Sequence, residues 1–272
     1  MKIVLVTHHF LPRYYGGTEQ YTYRIAQGLR RQGHTAEVVC IESIQEGSLT
    51  PTCVTENYQD LVVHRLHFDI GQAPNPFEWG FRNPELGHWI KEFLQRTHPD
   101  LVHVNSGYLL GGTVPEAAFE LGLPMVLTLH DYWFMCPLTI LLRTDEKICG
   151  EPVLPARCVW CSLSQKRRYR LPDKRIYGHL GAAFVRLSQS EAVAKVMGIT
   201  SHLDLIVERR RYLKRILEQA DVVISPSRFL IQKVEEYGFK PHRLVYLPFG
   251  LDRTHLSRSG PGTPSKKLRI GY

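Results

Sequence analysis

Three groups of residues in this chain have types and spacings that suit chemistry. The first is Gly16-Gly17-Thr18, which follows an apolar run and a loop marked by Pro12. Adjacent glycines let an anion approach the backbone closely. A helix starting at Thr18 would aim unpaired amide N–H groups and the positive end of its dipole at the loop, so a phosphate or pyrophosphate is the natural guest. A loose turn without a ligand stays open as the alternative, because the pair does not complete a GxGxxG fingerprint. The second group is His103 and the pair His130-Asp131, each in or just after a short apolar run. An imidazole there can donate or accept a hydrogen bond at physiological pH. The bland readings are a satisfied strand histidine for His103 and a strand-end cap pair for His130-Asp131. The third group is Cys136, Cys149, Cys158 and Cys161, ending in Cys158-Val-Trp-Cys161. Four thiols with a C-x2-C pair suit a structural zinc ion. Free buried thiols stay open, as does an iron–sulfur cluster, although no ferredoxin spacing is met; disulfides do not fit an intracellular chain.

The elements that must position these groups alternate. Residues 2–6 read as a strand buried on both faces, and a helix follows from Thr18, with Tyr21, Ile25, Gly28 and Leu29 on one face and Gly33 as its stop. Further strands are expected at 36–41, 101–104, 124–129, 221–225 and 244–247, with a strand pair at 53–56 and 61–66. Residues 71–84 read as loop, and helical periodicity covers 86–96, 112–121, 203–219 and 228–237. This order predicts an α/β fold, a Rossmann-like doubly wound parallel sheet whose ligands gather beyond the carboxyl ends of the strands. Thr7-His8, His103-Val-Asn105 and His130-Asp131 all fall there. The rhythm lapses over 134–200, a Cys-rich and basic insertion in a domain covering 1–255. Residues 256–267 have the composition of a linker, and 268–272 resemble the opening strand of a further domain.

The net charge of +8 is local. Thirteen Lys and Arg stand against five Asp and Glu between Gln165 and Glu218, and the remainder is neutral. Such a patch implies an anionic surface or ligand at one place. On a helical reading of 203–219, Leu205, Tyr212, Leu213 and Ile216 face the core, while Arg209, Arg210, Lys214 and Arg215 cover the outside. A nucleic-acid partner is not expected, since no RNP motif, helix-turn-helix or aromatic-basic platform accompanies the charge. No apolar run approaches the ~20 residues of a spanning helix, and the N-terminus reads as a strand rather than a leader, so a cytoplasmic chain is expected.

Taken together, the strand-loop from Lys2 to Gly17, Gly16-Gly17-Thr18-Glu19, Val102-His103-Val104, Thr128-Leu-His130-Asp131-Tyr-Trp, Asp221-Val-Val-Ile-Ser225-Pro-Ser227 and Pro248-Phe-Gly250-Leu-Asp252 resemble the N-terminal half of a GT-B fold glycosyltransferase of family 4. The order of these motifs is more specific than any one of them. The resemblance implies transfer of a sugar, with retention, from a nucleotide-diphospho-sugar donor to an acceptor hydroxyl, in a cleft between two Rossmann-like domains. By position, Gly16, Gly17 and Thr18 would face the donor diphosphate. His130 would lie at the reacting sugar with Asp131 orienting it or touching the acceptor, and His103 is a secondary candidate. Related enzymes act on sugar or lipid-linked acceptors, so the basic patch is expected to dock on anionic lipid at the inner membrane face, with a solvated helix face carrying ion pairs open as the alternative. The family's C-terminal domain supplies a Glu-x7-Glu pair, and no two Glu residues stand eight apart here. The isolated chain is therefore expected to be inactive without a GT-B C-terminal domain. The alternative is a non-catalytic acceptor-binding subunit of a split transferase.

Overall fold

A computed structural model describes residues 1–150 and 153–250. Its sheet contains β1 (Lys2–Thr7), β2 (Thr35–Ser43), β3 (Thr52–Tyr58), β4 (Leu61–His67), β5 (Leu101–Val104), β6 (Met125–Thr128), β7 (Val222–Ser225) and β8 (Leu244–Tyr246). Their order is β3-β4-β2-β1-β5-β6-β7-β8. Every neighbouring pair is parallel except the β3–β4 hairpin at the edge. The expected Rossmann-like sheet is present.

The sheet buries both faces because its central strands are apolar on both. In β1, Val4 and Val6 join one core cluster and Ile3 and Leu5 join the other, the period-2 alternation of a strand. Each such side chain contributes about 1.5–3 kcal/mol by leaving water. The second face is covered by α1 (Gly17–Arg31), while the four-residue α2 (Pro76–Trp79) precedes α3 (Pro84–Thr97). Helix α3 starts where Pro84 needs no N–H partner and the Asn83 side chain accepts from the Leu86 N–H at 3.1 Å. It packs with α4 (Thr113–Glu120) on the first face. Residues 71–84, expected as loop, thus hold a short helix.

Two helix faces differ from expectation. In α1 the buried residues are Glu19, Thr22 and Ala26 rather than a Tyr21-led stripe. Tyr21 turns instead toward His130, with ring centroids 4.9 Å apart. The chain after β6 forms α5 (Pro155–Leu163), α6 (Arg167–Arg175), α7 (His179–Leu187) and α8 (Glu191–Val196) before α9 (Thr200–Gln219), and α10 (Arg228–Glu236) follows β7. The cations of α9 do not form a free outer face. Arg209 is only 4% exposed, Arg215 binds Glu116 at 2.6 Å and Lys214 stands 3.8 Å from Glu218. The reason is tertiary, because α9 packs against α5, α4 and α8. Among the described residues no helix is long and apolar enough to cross a membrane. The linker at 256–267, the strand start at 268–272 and the end of the Pro248–Asp252 motif lie outside the described residues.

Candidate functional site

Register brings the candidate residues together. β1 pairs with β5 through Val6 and Val104, and the Asn105 N–H then donates to the Val6 carbonyl at 2.8 Å. β5 pairs with β6 through Val104 and Leu127. Thr7-His8, Asn105 and His130 consequently leave the sheet at one carboxyl edge, beside the start of α1. His130 is half-buried between aromatic rings, Tyr21 at 4.9 Å and Phe249 at 5.0 Å. Burial lowers its imidazole to about 3, with His8 and His103 adding to the shift. His130 is therefore neutral at physiological pH, and its Nε2 is buried without a hydrogen-bond partner among the described residues.

Asp131 is held by a different neighbour than expected. Its Oδ1 accepts from the Trp133 N–H at 2.8 Å, a local turn bond, and no bond joins it to His130. Burial pushes its carboxyl up, opposed by that N–H and by Arg209. Arg209 reaches in from α9, donates to the Trp133 carbonyl and lies 4.9 Å from the centre of the Trp133 ring. The same ring closes over Gly107, where a Cβ would stand 2.1 Å from it. The segment after β6 is thus held by α9 on one side and Gly107 on another. His103 is buried in β5, and its Nε2 pairs with Thr128 Oγ1 on β6 at 2.8 Å. Burial lowers His103 to about 4. Burial raises the Tyr21 hydroxyl's pKa, opposed by nearby Thr128.

At the start of α1, Gly16 has extended backbone, so neither glycine is needed for a left-handed turn. A Cβ at Gly16 would meet Glu19 Oε2 at 2.5 Å and force that carboxylate to move, whereas Gly17 has open space. Glu19 is 5% exposed and lies 3.4 Å from His8 Nε2. The helix start expected to cradle an external anion therefore already holds the chain's own carboxylate, a favourable place for it. Burial, then His9, lowers His8 to about 4. Its neutral ring points Nε2 at Glu19 and leaves Nδ1 buried without a partner among the described residues.

Thr7 Oγ1, Gln20 Nε2 and both amide atoms of Asn105 are likewise buried and unpaired among the described residues. Buried polar groups are rarely left so, and a cluster of them marks where a ligand or water bonds. Here the set is neutral and mixes donors with acceptors, which matches hydroxyl groups better than phosphates. Sequence reasoning placed Thr7, His8 and Asn105 at this edge without assigning them a part. It missed Glu19, Gln20, Tyr21 and Arg209 as contributors, because nothing local marks which polar or aromatic helix residues turn toward the sheet edge.

The zinc expectation finds no support among the described residues. The thiols of Cys136, Cys149, Cys158 and Cys161 lie near enough to influence one another, since burial pushes Cys158 up to about 12 with Cys149, Cys136 and Cys161 adding to it. Yet no group of three or more His, Cys, Asp or Glu among the described residues is arranged to hold a metal ion. All four are half-buried, and Cys136 and Cys149 pack against the first core cluster.

Residues 15–192 match the family described as Glycosyltransferase Family 4. A GDP-mannose-dependent alpha-mannosyltransferase of Corynebacterium glutamicum is 24% identical over 133 residues, 46% of this chain and 28% of that protein. Among solved structures, sucrose-phosphate synthase of Thermosynechococcus elongatus is 16% identical, with a TM-score of 0.48 over 92% of this chain and 48% of that one. The alpha,alpha-trehalose-phosphate synthase (UDP-forming) of Burkholderia xenovorans is 11% identical, with a TM-score of 0.43 over 87% of this chain and 43% of that one. The chain thus spans under a third of the curated relative and about half of each of these two structures.

Proposed function

Because the chain belongs to Glycosyltransferase Family 4, as an N-terminal domain of the GT-B type, we propose that it holds the acceptor side of a retaining sugar transfer from a nucleotide-diphospho-sugar to an acceptor hydroxyl. The observation that carries this reading is the neutral, unpaired set at the sheet edge: Thr7, His8 Nδ1, Gln20, Asn105 and His130 Nε2. A hydroxyl-rich ligand satisfies such a set without the cost of burying a charge. His130, uncharged, accepts from or donates to a hydroxyl of the reacting sugar, while Asp131, Trp133 and Arg209 hold the segment that carries it. The donor diphosphate meets the open Gly17-Thr18 side of the α1 start, away from Glu19. The carboxylates and cations that engage the rest of the donor come from a further GT-B domain, since no Glu-x7-Glu pair stands in this sequence.

Contact with an anionic membrane fits α6 better than α9. Lys166, Arg167, Arg170, Lys174 and Arg175 have no carboxylate partner among the described residues, and exposed Leu171, Ile176 and Tyr177 lie between and after them. Cations interleaved with apolar side chains suit a lipid surface, each cation contributing about 1 kcal/mol there.

Reconstitution with a family donor-binding domain tests the main reading. Sugar transfer from a nucleotide-sugar is expected only in the assembly, and His130→Ala is expected to lower it at least ~10²-fold. Transfer by the chain alone, or a near-normal rate in the variant, sinks the corresponding part of the proposal.

A further inference from the structure

Residues within 143–189 form a half-open cavity of about 230 Å3 between α5, α7 and the 143–145 turn, and this cavity shares no residue with the sheet-edge site. Trp160, 7% exposed, forms part of its wall. The wall is fixed by Asp173, itself 5% exposed. One carboxylate oxygen accepts from Trp160 Nε1 at 3.3 Å and the other from the Gly181 amide at 2.9 Å, which ties α5 to α7. Gly181 cannot be larger, because a Cβ there would stand 2.4 Å from Trp160 Nε1.

Three arginines line this cavity, Arg143, Arg157 and Arg186, against one lining carboxylate, Asp145. Asp145 is already engaged by Arg143 at 2.6 Å. Arg157, half-buried, and Arg186, exposed, have no carboxylate partner among the described residues. Two unpaired guanidinium groups on a preformed wall favour an anion that can accept paired N–H bonds, and phosphate matches their fork geometry. The volume falls below the roughly 300–1,000 Å3 of sites that enclose drug-sized ligands, so a whole nucleotide-sugar is too large while a phosphate monoester on a short polyol fits.

We infer that this cavity is a second binding site, for a phosphate monoester on a short polyol, gripped by Arg157 and Arg186 with its carbon portion against Trp160. That chemistry is shared by soluble polyol phosphates and by a phosphomonoester lipid headgroup presented at a membrane. The site is independent of the transfer reading, and its test reads binding alone.

The full chain is titrated with glycerol 3-phosphate by calorimetry, and sedimented with phosphatidylcholine vesicles with or without phosphatidic acid. Binding of glycerol 3-phosphate with a fluorescence change that Trp160→Phe abolishes supports a soluble ligand. Retention by phosphatidic acid vesicles without glycerol 3-phosphate binding supports the headgroup. In either case the double substitution Arg157→Gln, Arg186→Gln is expected to weaken binding at least about tenfold with an unchanged thermal melt, the factor for losing one charge-assisted contact. Ala182→Phe, which fills the cavity while leaving the arginines in place, is expected to do the same. Binding to neither probe, or equal binding by the parent chain and both variants, overturns the assignment.

Discussion

The guanidinium of Arg209 lies 4.9 Å from the centre of the Trp133 ring and donates to the carbonyl of the same residue, so one side chain from α9 clamps both the ring and the backbone of the segment that carries His130. Burial lowers that guanidinium to about 10, opposed by Cys136, Cys158 and Asp131 close by. A charge so enclosed is kept only where its contacts are well formed.

Arg209→Met should therefore destabilise the fold by about 2–4 kcal/mol, since it leaves the Trp133 carbonyl unpaired and removes the ring contact. Arg209→Lys should recover little, because a point charge cannot stack and donate as the planar fork does. Urea denaturation midpoints measure both. A loss below about 1 kcal/mol in Arg209→Met would show that the clamp is not structural.

Gly107→Ala tests the other side of Trp133. The new Cβ would stand 2.1 Å from the ring, so the ring or the strand end has to move, at a cost of about 1–3 kcal/mol. Near-ultraviolet circular dichroism should change with it. A native aromatic spectrum at parental stability would mean that the ring does not close over this glycine.

The adjacent glycines at the start of α1 should behave oppositely. Gly16→Ala places a Cβ 2.5 Å from Glu19 Oε2 and is expected to be destabilising by about 1 kcal/mol or more, moving Glu19 away from His8. Gly17→Ala has open space at the first helical position and is expected to be neutral or stabilising by up to about 1 kcal/mol. Thermal melts of the two variants compare them directly, and equal effects would refute the distinction.

Stability should fall in mild acid. His8 and His103 are lowered to about 4 and His130 to about 3, in each case mainly by burial. The unfolded chain, with histidines near 6.5, binds more protons than the folded one throughout the interval below. Their contribution is thus fully present above about pH 6.5 and is lost as pH falls toward 4, by roughly 2–3 kcal/mol for His103 alone. Urea midpoints measured from pH 7 to 4 should decline, and His103→Gln should flatten the decline. A parental slope in His103→Gln would place that histidine outside the acid response.

Much of this architecture is readable residue by residue. The apolar run of β1, the turn before β4, the Gly33 stop and the helical periods of α3, α9 and α10 predict the alternating order, because strand and helix periodicities are local properties of the chain. The same order places Thr7-His8, Asn105 and His130-Asp131 at one edge, since a parallel sheet aligns its carboxyl ends. Charge state and partnership are different in kind. Arg209 looked like a surface cation until Trp133, 76 residues away, enclosed it, and nothing local marks Glu19 as the buried carboxylate that stands against His8. Asp131 lies beside His130 in sequence, yet it bonds Trp133 because the turn aims its carboxylate forward along the chain. Desolvation depends on what packs from distant elements, and no local pattern encodes that. The sequence by itself therefore determined the strands, most of the helices outside 134–200 and the edge where Thr7-His8, Asn105 and His130 meet, while only the tertiary structure decided which polar groups there are buried, neutral and unpaired among the described residues.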